Sequence, residues 1–117
     1  MTANQKGSAL MTFDALEVSL QLIEALVPVV EKIKAEDASE ASQIRRAASS
    51  VPHNLEEGRQ RKGRDRTNHY RYAAGSAAEV RGALRVARAW RWIDAAESAP
   101  ALALLDRLCA MLYRLAR

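Results

Sequence analysis

From Thr12 to Ile33 apolar residues recur at intervals of three and four. Leu16, Leu20, Ile23, Val27 and Val30 fall on one helical face, and Leu22, Leu26, Val29 and Ile33 widen it. At 100° per residue this apolar arc spans roughly 200°, about twice what a helix facing a single core needs. The first helix therefore has two sets of neighbours. Pro28 sits on its polar side, where the carbonyl it frees can be solvated, so a bend is expected there. Residues 1–11 are small and polar and are expected to form a disordered tail ahead of the bundle that fills residues 12–117.

Asp37 or Ser39 can cap a second helix, whose narrow stripe is Ile44, Ala47, Ala48, Val51 and Leu55. Pro52 should kink it, and Gly58 is its natural stop. The basic "RQRKGRDR" that follows reads as a loop, with Asp65 or Thr67 opening a third helix that runs to about Trp92. Tyr72, Ala83, Val86 and Trp90 are expected on the core side of that helix. Arg81, Arg85 and Arg88 form a stripe opposite. Gly75 and Gly82, with Ala73, Ala74, Ala77 and Ala78, favour close approach of neighbouring helices. After "DAAESAP", a last helix carries Leu104, Leu105, Leu108, Met111, Leu112 and Leu115, again over about 200°, with Arg107 and Arg114 on its back. The pattern predicts an all-α, up-down four-helix bundle whose first and last helices have apolar surface to spare, and hence a homo-oligomer.

Composition agrees. Ala, Leu, Arg and Glu abound, while Gly numbers 5 and Pro 3 in 117 residues, one domain's worth of chain. No N-terminal leader pattern and no uncharged run of about 18 residues is present, so neither export nor a membrane partner is expected and the cytoplasm is the default. The single cysteine, Cys109, lies among leucines and reads as a small buried hydrophobe.

Charge changes the picture more. The net charge is +4, but residues 44–91 hold twelve Arg and Lys against four acids. Such a block is the footprint of a polyanion partner. Arg59, Arg61, Lys62, Arg64 and Arg66 are the leading phosphate contacts, and with Arg81, Arg85 and Arg88 in the next segment they are expected to form one surface. Arg46 and Arg45 can grip phosphates or pair with Glu57 or Glu79; Arg46 lies opposite the apolar stripe and is grouped with the contacts. Arg45, nearer the stripe, is grouped with Asn54, Glu57 and Glu79 as a structural polar cluster. Glu79 is read as projecting from the third helix's apolar face, where a carboxylate needs a partner. Tyr70 and Trp92 are secondary candidates for base stacking. His53 and His69 fit no metal or nucleophile spacing, and with no phosphate loop or metal cage the sequence predicts neither an enzyme nor a cofactor.

"SQIRRAASSVPHNLEEGRQRK" followed by "AAGSAAEV" resembles the four-helix-bundle proteins encoded by intervening sequences in bacterial 23S rRNA genes, the S23 ribosomal protein family. Gln43, Ile44, Arg45, Arg46, Ala47, Ala48, Ser50, Pro52, Asn54, Glu57 and Gly58 match the family pattern, as do Gly75, Ser76 and Glu79. The resemblance, over roughly residues 12–116, implies a toroidal homopentamer with basic character and a loosely defined part in binding nucleic acid, RNA foremost, or the ribosome. It also implies a second role, that of a protein adaptor, because related bundles accompany reverse transcriptases.

Overall fold

Four helices account for nearly the whole chain in the computed structural model, which describes the backbone of residues 3–117 and the side chains of residues 9–117. They are α1 (Ala3–Glu36), α2 (Ala38–Arg59), α3 (Gly63–Ala89) and α4 (Ala95–Leu115), with no strand among the described residues. Helix α1 packs on α2 and α4, and α3 packs on the same two, so the helices stand at the corners of a square running up and down in turn. The bundle is 49 Å long and 23 × 19 Å across.

The first connection is Asp37 alone. Its side chain accepts a hydrogen bond from the Glu40 amide at 2.9 Å, capping α2 as the sequence suggests. Helix α4 starts at Ala95, so "DAAESAP" is its first turns rather than a linker. Asp94 and Glu97 bond reciprocally to each other's amides there, satisfying two donors that every helix start leaves open. Helix α1 begins at Ala3, and residues 3–11 extend it instead of forming a tail; residues 1 and 2 lie outside the described residues. Pro28 and Pro52 are carried within unbroken helices.

The core runs the length of the square. Leu22, Leu26 and Ile33 of α1 meet Ile44, Val51 and Leu55 of α2, Val80 and Leu84 of α3, and Leu105, Leu108 and Leu112 of α4, all buried. On α3 the inward face differs from the one expected. Tyr70, Ala73, Ala77, Val80, Leu84 and Ala87 are buried, whereas Tyr72, Val86 and Trp90 point to solvent. Alanines win the inner face because α2 and α3 lie close together, and a larger residue would hold them apart.

That closeness is most marked at Gly58. It does not stop α2, which continues to Arg59 with Gln60 as its cap. A Cβ on Gly58 would fall 2.5 Å from the Tyr70 ring, so the glycine makes room for an aromatic from the next helix. Tyr70 is 3 % exposed, and its hydroxyl shares a 3.1 Å hydrogen bond with Thr12 of α1. Gly75 and Gly82 are the reverse case: both are exposed and nothing lies within 4 Å of the Cβ that alanine would add at either.

The glycines therefore respond oppositely to alanine. Gly58→Ala should destabilise the bundle by about 1–3 kcal/mol through overpacking against Tyr70. Gly75→Ala and Gly82→Ala should each stabilise it by roughly 0.5–1 kcal/mol through helix propensity. Urea denaturation of the three variants measures both signs.

Candidate nucleic-acid interface

The basic residues separate by what holds them. The segment between α2 and α3 is only residues 60–62, closed by Gly63 in the left-handed region at φ 57°, so "RQRKGRDR" is two helix ends and a tight turn rather than a loop. Arg66 reaches back from the first turn of α3 and donates to the carbonyls of Gly58 at 3.2 Å and Arg59 at 3.3 Å. It caps the C-terminus of α2, whose last carbonyls have no partner within the helix. Arg61 stands between Glu57 at 3.3 Å and Asp65 at 3.2 Å. Arg59 pairs with Glu56 at 3.3 Å. Lys62 and Arg64 remain exposed, with no side-chain partner among the described residues.

The stripe on α3 divides in the same way. Arg81 donates to Asp106 at 2.8 Å and to the Leu105 carbonyl at 3.5 Å, tying α3 to α4, while its Nε is buried without a partner. Arg85 and Arg88 are exposed, with no side-chain partner among the described residues. They lie far from Lys62 and Arg64: a 1.5 Å rise per residue puts Arg85 roughly 32 Å from Arg64 along α3. The turn and the stripe are thus not one surface but two, at opposite ends of the bundle. Arg46 is exposed on α2, and its one side-chain hydrogen bond among the described residues is to Ser42 at 3.5 Å.

Arg45, Asn54, Glu57 and Glu79 do not form the expected cluster. Arg45 and Glu79 are both exposed. Arg45 borders a groove of about 320 Å³ with Ile23, Val27 and Val30 of α1, on the far side of α2 from α3. Glu79 misses the core because the inner face of α3 is centred on Ala77, Val80 and Leu84. The polar residues that do join α2 to α3 form another set. Ser76 donates to Ser50 at 2.9 Å; Asn54 donates to the Ser50 hydroxyl at 2.9 Å and its carbonyl at 3.0 Å; His69 Nδ1 lies 3.1 Å from the Asn54 carbonyl oxygen. Of this ladder the sequence indicated only Asn54. Ser50 and Asn54, one turn apart on α2, were the available signal.

Tyr70, the stacking candidate, is committed to the core. Trp90, expected in the core, is 67 % exposed and lies against Trp92 with ring centroids 6.1 Å apart. Cys109 is half-buried, and burial raises its thiol pKa, so it stays protonated at neutral pH and is a poor nucleophile. Among the described residues no three His, Cys, Asp or Glu side chains gather as metal ligands, and no helix is long and apolar enough to cross a membrane.

A family model described as "23S rRNA-intervening sequence protein" matches residues 11–114. No curated protein and no solved structure matches the chain.

Since the ladder and the Arg66 cap are structural while Glu79 is solvated, Ser50→Ala and Arg66→Ala should each cost about 1–2 kcal/mol. Glu79→Leu should stay within about 0.5 kcal/mol of wild type. Thermal melts at one protein concentration check the contrast.

Proposed function

The chain belongs to the 23S rRNA-intervening sequence protein family, and on that premise we propose that it is a non-enzymatic RNA-associated bundle of the cytoplasm, acting as a ring-shaped homo-oligomer, a pentamer by family resemblance. The observation that carries the RNA reading is the sorting of cations. Most arginines near the α2–α3 turn are used by carboxylates or helix ends, yet Lys62 and Arg64 at the start of α3 and Arg85 and Arg88 near its end have no side-chain partner among the described residues. Unpaired guanidinium and ammonium groups on a rigid frame suit phosphate oxygens. Contacts spread over two ends of each protomer, repeated around a ring, give avidity with no single strong site.

Self-association is supported by α1. Leu16, Leu20, Ile23 and Val27 form a stripe turned roughly 110° from the core-facing side, with Leu20 and Val27 exposed and Leu16 and Ile23 half-buried. The leucines and methionine of α4, by contrast, are all buried or half-buried, so the exposed large aliphatic side chains of the two outer helices are on α1. The same stripe supports a second reading, an adaptor that docks a partner enzyme such as a reverse transcriptase.

Salt separates the two readings. RNA retained at about 50 mM salt should be released steeply as salt rises, and on single strands the slope should fall by about 0.7 for each phosphate-binding cation removed. Lys62→Ser with Arg64→Ser, and Arg85→Gln with Arg88→Gln, should each flatten the slope independently and leave the melting temperature unchanged. Failure to retain any RNA at that salt moves the adaptor to first place. Light scattering at micromolar concentration should show an oligomer in wild type, and Leu20→Ser with Val27→Ser should shift it towards monomer.

A further inference from the structure

The corner between α3 and α4 is built in an unusual way. The Arg91 amide donates to the Arg88 carbonyl at 2.9 Å and the Trp92 amide to the Ala87 carbonyl at 3.0 Å. This is the paired bonding that ends a helix on one left-handed residue, a position that normally belongs to glycine. Here it is Arg91, at φ 63°, and no other non-glycine residue has positive φ among those described. A side chain kept where its own Cβ strains the backbone points to a use for that side chain.

What surrounds Arg91 suggests the use. A groove of about 480 Å³ is lined by Lys32, Arg88, Arg91 and Trp92, together with Asp94 and Glu97. Both acids are already engaged: they cap α4 for each other, and Glu97 also pairs with Lys32. Arg88 and Arg91 have no side-chain partner among the described residues. Trp92, half-buried against the core, carries Trp90 stacked on it at 14° from parallel, and Trp90 is largely exposed. An exposed indole braced by a second one, next to two free guanidinium groups, matches the two faces of an unpaired nucleotide, a flat base and a phosphate.

We propose that this corner is a subsite for an unpaired nucleotide of RNA, with the base stacked on Trp90 and its phosphate held by Arg88 and Arg91. The site deepens the RNA reading above and rests on it. It selects single strands, because a base inside a duplex has no free face to offer an indole. The left-handed turn at Arg91 brings its guanidinium to the groove alongside Trp92, and its strain is the cost of that placement.

The chain's two tryptophans are both at this corner, so tryptophan emission, excited selectively over tyrosine, reports on it alone. Decaadenylate should quench wild-type emission, whereas a blunt 16-base-pair RNA duplex should bind without changing it. Trp90→Ala should weaken decaadenylate binding, followed by anisotropy of the labelled strand, by roughly 5- to 150-fold. It should leave duplex binding and oligomer size unchanged. Arg91→Gly separates function from fold: it should melt no lower than wild type, because glycine relieves the turn, yet bind decaadenylate more weakly. Decaadenylate binding with unmoved emission, or with equal affinity in Trp90→Ala, overturns the subsite and leaves the RNA reading standing. Trp90→Ala that instead breaks the oligomer places the indole at a subunit contact and overturns it too. Absence of binding to either RNA removes the RNA reading and the subsite together.

Discussion

The seat of Tyr70 against Gly58 governs how α2 and α3 meet, and much else follows from it. The ring fills the volume a Cβ would take on α2, and its hydroxyl reaches Thr12 on α1, so one side chain joins three helices near one end of the bundle. With the backbones this close, both helices of the seam present alanine inward, α2 at Ala41, Ala47 and Ala48 and α3 at Ala73, Ala77 and Ala87. The register it sets also aligns Ser76 with Ser50 and His69 with Asn54, giving the half-buried polar atoms of the seam partners. Hydrogen bonds of this kind add little net stability each, but a shift by one residue would leave several groups unsatisfied, so they select one alignment.

The same geometry decides which charges are free. Where a helix ends, its carbonyls attract cations, and Arg66 is held there. Where two helices touch along their length, a flanking arginine finds an acid on its neighbour, as Arg81 does with Asp106. Of the cations left over, Lys62 and Arg64 lie toward one end of the bundle and Arg85 and Arg88 toward the other. A count of basic residues along the chain therefore overstates the charge on offer to a polyanion, and sums into one surface what the fold splits in two.

Helix number, order and most of the core were legible in the hydrophobic pattern, because Leu22, Ile33, Ile44, Leu55, Leu105, Leu108 and Leu112 repeat at helical spacing with strong apolar contrast. Helix α3 was not. Tyr72, Ala83, Val86 and Trp90 recur as regularly as Tyr70, Ala73, Ala77, Val80, Leu84 and Ala87, and they weigh more on any scale of hydrophobicity. Only the space available beside α2 tells the two sets apart, and that is a property of the pair of helices. Placing the inner face on the wrong set put Glu79 in the core, exposed Tyr70 and hid Trp90, so one error displaced three site assignments. The Asp37 cap was readable because its chemistry is local. The seats of Arg66 and Arg81 were not, since their partners come from another helix.

The links between helices are one, three and five residues long. Neighbours in sequence are therefore neighbours in space at three of the four seams, and closing such short spans costs the chain little entropy. Packing of this local kind is associated with fast folding, and α1 through α3 can zip in chain order. The α1–α4 seam is the exception, because it joins the two ends of the bundle's chain, with all of α2 and α3 between them in sequence. Lys32 meets Glu97 across it, at the first turn of α4. That seam spans the bundle's largest separation in sequence, so its closure is the one that costs the chain most entropy.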